Sequence, residues 1–254
     1  MSYVGVSILN VNVSVINYQM ALSEVERWII KKEKHYVCVA AAHLMAECQK
    51  DKRLLEGVNR AGLVTPDGMP LVWLARLYGY KQVSRVYGPT LMEKLCTLAK
   101  QQCWRVYLLG GASGQSQEVA RALRRKFPAL RIVGHRDTPA RPIPSLQNQK
   151  IIAEVNHARP EIVFVGLGCP NQELWMIENR KKLGAPVLIG VGAAFDFLSC
   201  RVRQAPEWTQ NVGFEWLYRL IQEPKRLWYR YTVINATFIW LVMKELLCKK
   251  RFSI

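Results

Sequence analysis

The stretch Thr65–Pro70, TPDGMP, sets one carboxylate between two prolines and beside a glycine. The chain has four aspartates, Asp51, Asp67, Asp137 and Asp196, so a carboxylate in such a turn draws notice. Two readings of Asp67 are open. It is a good N-cap for an apolar helix starting MPLVWLARLYG, with Pro70 tolerated in the first turn. It is also a side chain that can take a proton from a hydroxyl held nearby. Arg85, in SRVYGP, is an anion clamp or a surface charge.

Three further loops have chemistry in reach. LLGGASGQSQE puts Gly110, Gly111 and Gly114 between a strand and a helix, where backbone and helix N-terminus can approach a phosphate. It is neither GxGxxG nor a Walker A loop, and a tight turn explains it as well. GLGCPNQELW brings Asn171, Gln172 and Glu173 to the first turn of a helix, where amide and carboxylate can read sugar hydroxyls. The alternative is Asn171 as cap with Glu173 favouring the dipole. GVGAAFDFLS places Asp196 in apolar surroundings, either at a site or as a buried carboxylate held by backbone N–H groups. No DxD, HxH, HExxH or CxxC occurs, and His35, His43, His135 and His157 are dispersed, with His43 alone near a strand end. No metal and no cofactor are expected.

The elements that must position these loops are short apolar runs: Tyr36–Ala42, Arg105–Gly111, Glu161–Gly168 and Pro186–Ala194. Continuous apolar runs suit strands covered on both faces. Helical segments lie between them, among them one opened by the capping-box pair Ser23 and Glu26 and an amphipathic one over Gly114–Phe127. The alternation predicts an α/β fold, Rossmann-like, with a mostly parallel sheet flanked by helices. Ligands in such folds gather at the carboxyl ends of the strands. The N-terminal MSYVGVSILNVNVSVIN reads as a first strand, not a signal peptide. The proline-rich loop His135–Ser145 reads as an exposed, flexible connection.

Composition changes near Pro206. Residues 1–206 are read as the α/β domain and 207–254 as a helical, basic appendage. Four of the eight tryptophans fall between Trp208 and Trp240, and from Arg219 onward eight Lys or Arg face two acids. The apolar run Thr232–Met243 spans roughly 18 Å as a helix, short of a bilayer core of about 30 Å. The tail therefore reads as a basic, aromatic segment lying on an anionic membrane surface, or as a terminal helix packed on the domain. The net charge of +17 favours an anionic partner. Nucleic acid is not expected as that partner, since no RNP, helix-turn-helix or zinc-finger word is present. The seven scattered cysteines, an odd number, fit free thiols in a reducing compartment, hence the cytoplasm.

Together the words TPDGMPLVW, RVYGP, VYLLGG, VFVGLGCPNQELW, GVGAAFDF and APEWTQNVGFEWLYRLIQEPKRLWYRY resemble the WecG/TagA/CpsF glycosyltransferases, in family order from about Tyr36 to Tyr231. The resemblance implies an inverting, metal-independent enzyme on the cytoplasmic face of the membrane. It would move a sugar from a UDP donor to a polyprenyl-diphosphate-linked saccharide, feeding teichoic acid or other cell-surface polysaccharide. N-acetylmannosamine, its uronic acid and glucose are the donor sugars the family allows. It further implies Asp67 as general base, Arg85 and Gln172 in donor handling and catalysis, and Arg219, Arg226 and Arg230 near the acceptor diphosphate. Gly110, Gly111, Asn171, Glu173, Asp196 and His43 are the expected substrate-binding set. A homo-oligomer is a further family option. The chain departs from the pattern after its VCV strand, where Ala40, Ala41 and Ala42 stand in place of Thr and Asn. A nicotinamide-dependent oxidoreductase is the rival, though no acid ends the strand RIVGH to hold a ribose. An inactive relative that only binds a UDP-sugar is another.

Overall fold

The computed structural model describes residues 4–139, 142–206, 209 and 215–251. Six parallel strands form the central sheet in the order β4-β3-β8-β7-β5-β6. They are β3 (His35–Ala40), β4 (Leu63–Pro66), β5 (Arg105–Gly110), β6 (Arg131–Arg136), β7 (Ile162–Gly166) and β8 (Val187–Gly190). Side chains alternate between two cores. Tyr107, Leu109, Val163, Val165 and Leu188 enter one. Val106, Leu108, Ile162, Phe164 and Ile189 enter the other. The four interior strands are buried almost throughout, which explains their uninterrupted apolar sequence.

The second core is closed by α1 (Tyr18–Ile30), α5 (Gly88–Gln101), α6 (Gln115–Lys126) and α9 (Ala194–Leu198). The first is closed by α2 (Ala42–Lys50), α3 (Lys52–Asn59), α4 (Met69–Leu77), α7 (Ser145–Ala158) and α8 (Asn171–Asn179). The expected first strand is instead an antiparallel hairpin, β1 (Gly5–Ile8) and β2 (Val11–Ser14), forming its own two-stranded sheet. Leu9 and Asn10 turn the chain with positive φ. The capping box is also corrected: α1 begins at Tyr18, and Asn17 accepts the Met20 N–H at 3.0 Å, leaving Ser23 inside the helix.

After α9 the chain continues into α10 (Glu215–Gln222), α11 (Pro224–Tyr229), a π-helical turn (Arg230–Ile234) and α12 (Asn235–Arg251). Phe238 and Val242 of α12 are buried in the first core, packed with α2. Glu245 accepts the Leu9 N–H at 2.8 Å, tying α12 to the hairpin turn. The terminal helix is thus both packed on the domain and longer than its apolar run. The helical run from α11 through the π-helical turn into α12 includes Leu227–Cys248, 22 residues long and apolar enough to cross a membrane by length and composition, and 11% of its most apolar window is buried.

The strand order creates a topological switch. β5 leads outward to β6 at one edge, whereas its neighbour β7 leads the opposite way to β8. Loops leaving two such neighbours diverge and open a crevice at their carboxyl ends. Gly110 and Gly166 face each other there in register. Gly110 has φ +122, and a Cβ on it would lie 2.6 Å from the Gly166 carbonyl carbon. Glycine is required for this close approach of two backbones.

Candidate active site

A cavity of about 910 Å³ lies over the carboxyl ends of β3, β4, β5, β7 and β8. That is large enough for a nucleotide-sized ligand. Its floor comes from the strand-end loops. Its far wall comes from the tail, through Trp216, Arg219, Tyr231, Asn235, Phe238 and Ile239. The site is therefore assembled from the α/β domain and the tail.

The four aspartates separate by role. Asp51 caps α3, accepting the Arg53 and Leu54 N–H groups. Asp137 accepts the N–H groups of Gly114 at 2.7 Å and Ser116 at 2.8 Å, capping α6. Burial pushes the Asp137 carboxyl up, but the hydrogen bonds from Ser116 and Gly114 outweigh it and hold the carboxyl below its ordinary value. This revises two expectations. The N-terminus of α6 already holds an anion, so the glycine loop is not an open phosphate cradle. The start of the proline-rich loop is fixed, with Thr138 fully buried, while residues 140 and 141 lie outside the described residues.

Asp67 and Asp196 remain, and both line the cavity. Asp67 does not cap α4: the cap position is Gly68, with no side-chain hydrogen bond. The Asp67 carboxylate instead accepts the Gly88 N–H at 3.2 Å, at the start of α5. Arg85 donates to the Asp67 carbonyl oxygen, and its guanidinium lies 3.9 Å from the Asp67 carboxylate and over the Tyr87 ring. Strand end, arginine and carboxylate thus form one unit. Tyr18 supports it, its hydroxyl oxygen accepting the Tyr87 N–H at 3.0 Å. Burial raises the Tyr18 pKa, and the Asp67 charge adds to that.

Asp196 is held by Gln115, whose amide donates to it at 2.9 Å while its carbonyl oxygen accepts the Ala112 N–H at 2.8 Å. Gln172 plays a matching part on the other side. It is 3% exposed; its carbonyl oxygen accepts the Gly192 N–H at 3.0 Å and its amide donates to Glu173 at 2.8 Å. Gln172 thus holds the loop between β8 and α9 at Gly192, and Gln115 holds α9 at Asp196. Gln172 therefore acts on the wall of the cavity, and Glu173, fully buried, lies behind that wall. Gly111 lines the cavity; Gly110 does not, being packed on Gly166.

Asn171 and His43 line the cavity. Asn171 is the first residue of α8, whose cap position is Pro170, so its expected capping role is not seen. His43 follows Ala41 and Ala42, which also line the cavity. Ala40, by contrast, is fully buried and does not line it. Arg219 is 7% exposed, with its guanidinium 5.3 Å from the Phe197 ring centre and 3.8 Å from Glu223. Arg226 lies in α11 and Arg230 in the π-helical turn, but their side chains lie outside the described residues. Sequence reasoning missed Gln115, Tyr18 and Trp73. Gln115 had a readable signal, a glutamine directly after the glycine loop; Tyr18 had none, because its contact is 69 residues away.

Cations and a carboxylate converge in a cavity at a parallel-sheet switch point, and residues 6–252 match the family described as "Glycosyl transferase WecG/TagA/CpsF family". The chain belongs to this glycosyltransferase family. It is 28% identical over 248 residues to the N-acetylglucosaminyldiphosphoundecaprenol N-acetyl-beta-D-mannosaminyltransferase of Bacillus subtilis (strain 168), covering 94% of each chain. It is 29% identical over 211 residues to the protein of the same name in Bacillus spizizenii, covering 83% of this chain and 79% of that one. Within this glycosyltransferase, no group of three or more His, Cys, Asp or Glu arranged to hold a metal ion occurs among the described residues. The cysteines form no disulfide among the described residues.

Proposed function

We propose that the protein transfers a sugar, with inversion, from a UDP donor to a polyprenyl-diphosphate-linked saccharide. The observation that carries this reading is the Asp67–Arg85 unit facing Arg219 across one cavity. Asp67 takes the proton from the acceptor hydroxyl as that oxygen attacks the anomeric carbon. The bond from that carbon to the diphosphate breaks, and UDP leaves with the electron pair. Arg85 meets the charge developing on the leaving group and Arg219 holds the acceptor diphosphate, so the step calls for no metal. Gln172 positions the β8–α9 loop, and Gln115 positions Asp196 on α9. N-acetylmannosamine is the favoured sugar, given the names of the two relatives.

Residues 1–206 form the catalytic unit in this reading, and 207–254 an appendage that closes the cavity at the inner face of the cell membrane. Its exposed apolar residues, Trp216, Ile221, Trp228, Ile239, Trp240 and Leu247, support a peripheral seat on an anionic leaflet. The test offers UDP-N-acetylmannosamine, its uronic acid or UDP-glucose with a short-chain prenyl-diphosphate-N-acetylglucosamine to the full-length protein. UDP release with one of these pairs supports the reading. UDP binding absent by calorimetry, with no release from any pair, refutes it.

A further inference from the structure

An apolar stripe leaves the cavity along α4. Met69, Trp73 and Leu77 are spaced i, i+4, i+8, so they share one helix face. Met69 and Trp73 line the cavity. Trp73 is 52% exposed and Leu77, beyond the cavity rim, 67% exposed. Single exposed apolar residues are ordinary on protein surfaces. Here they are in a row, and the row begins two residues after Asp67. From Met69 to Leu77 it runs about 12 Å. A second exposed row, Ala236, Ile239, Met243 and Leu247, leaves the same cavity along α12, where Ala236 and Ile239 line the wall.

We infer that the α4 stripe is the track for the first isoprene units of the lipid acceptor, a contact made by the α/β core and not by the tail. The inference rests on the lipid-linked acceptor proposed above. The chemistry of such a ligand matches the sequence of surfaces. Its sugar hydroxyl must reach Asp67, its diphosphate needs the nearby arginines, and its hydrocarbon must then leave the cavity over apolar side chains. A stripe that starts inside the cavity and continues outside fits a chain tethered to the bound headgroup. Contact with bilayer acyl chains alone would not require the stripe to begin beside Asp67.

The test is calorimetry on the full-length protein with pyrophosphate, geranyl diphosphate and farnesyl diphosphate below their aggregation concentrations. Affinity should rise roughly tenfold per isoprene unit for a chain half covered by protein. Trp73→Ala and Leu77→Ala should each cut the preference for farnesyl diphosphate over pyrophosphate by about fivefold or more, with flotation on anionic vesicles and sedimentation unchanged. Equal affinity for the three probes, or a preference that survives both substitutions, overturns the inference. Lost flotation would make the stripe a bilayer contact, and a changed sedimentation coefficient would make it an interface with a second copy; either overturns it too. The two readings fail separately. Chain-length-dependent binding without UDP release in any transfer assay sinks the transferase. Transfer to a chain-free acceptor as efficient as to a prenyl acceptor sinks the track.

Discussion

Replacing Gln172 by glutamate tests its hold on the β8–α9 loop with almost no change of shape. In the wild type the side chain donates to Glu173 at 2.8 Å and accepts the Gly192 N–H at 3.0 Å, in a setting 3% exposed. A glutamate there faces a second, fully buried carboxyl group. Two carboxylates so close cannot both stay ionised; at 4 Å their repulsion is about 4 kcal/mol even at an effective dielectric of 20. The new side chain will therefore take up a proton. As the acid it reproduces the amide pattern, its O–H donating to Glu173 and its carbonyl oxygen accepting from Gly192. Keeping a carboxyl with an ordinary pKa of about 4.3 neutral at pH 7 costs about 3.7 kcal/mol, and at pH 5.5 about 1.6 kcal/mol. The folded-state pKa of the new group is raised, so the folded variant binds more protons than the unfolded chain. Its stability relative to wild type then falls as pH rises. Urea denaturation of both proteins at the two pH values measures this. The expected deficit is about 3–4 kcal/mol at pH 7, shrinking by about 2 kcal/mol at pH 5.5. A deficit that does not change with pH, or one under about 1 kcal/mol at pH 7, refutes the reasoning.

Other substitutions probe the remaining supports. Asp137→Asn removes one of the two acceptors that cap α6 and should cost about 1 kcal/mol at neutral pH. Because the folded Asp137 pKa lies below its ordinary 3.8, that advantage is present above about pH 4 and should vanish as pH falls through the folded value; thermal melts across pH 2.5–7 follow it. Gly110→Ala drives a Cβ to 2.6 Å from the Gly166 backbone at a φ that disfavours side chains, so a loss of about 3 kcal/mol or more is expected in denaturant titration. A loss under about 1 kcal/mol would mean that the two strand ends separate easily.

The fold was legible where local chemistry and tertiary structure agree. Buried parallel strands leave no polar alternation, so the runs around Val106–Leu109 and Val163–Val165 announce themselves. The site loops follow those strands, and their order in the chain was enough to bring Asp67, Arg85, Asn171, Gln172 and Asp196 to one cavity. What was not legible depends on partners distant in sequence. Asp67 next to MPLVW has every local mark of a cap, yet its carboxylate accepts the N–H of Gly88, 21 residues on, and lies beside Arg85. Nothing near LLGGASG shows that Asp137 will occupy the helix N-terminus it opens. The length of the C-terminal helix was underestimated because charges at both ends broke the apolar run, while backbone hydrogen bonding carries the helix through them.

The most direct test of the account is the turnover of Asp67→Asn. Asparagine keeps the size of the side chain and an oxygen to accept the Gly88 N–H, but it cannot take the acceptor's proton. The measurement is UDP release from UDP-N-acetylmannosamine with a prenyl-diphosphate-N-acetylglucosamine acceptor, beside calorimetric UDP affinity and a melting curve for the same preparation. The account predicts a folded variant with wild-type UDP affinity and a kcat lowered by about 10²- to 10⁴-fold. A folded variant that binds UDP and turns over near the wild-type rate would contradict it, and the base would have to be sought elsewhere in the cavity.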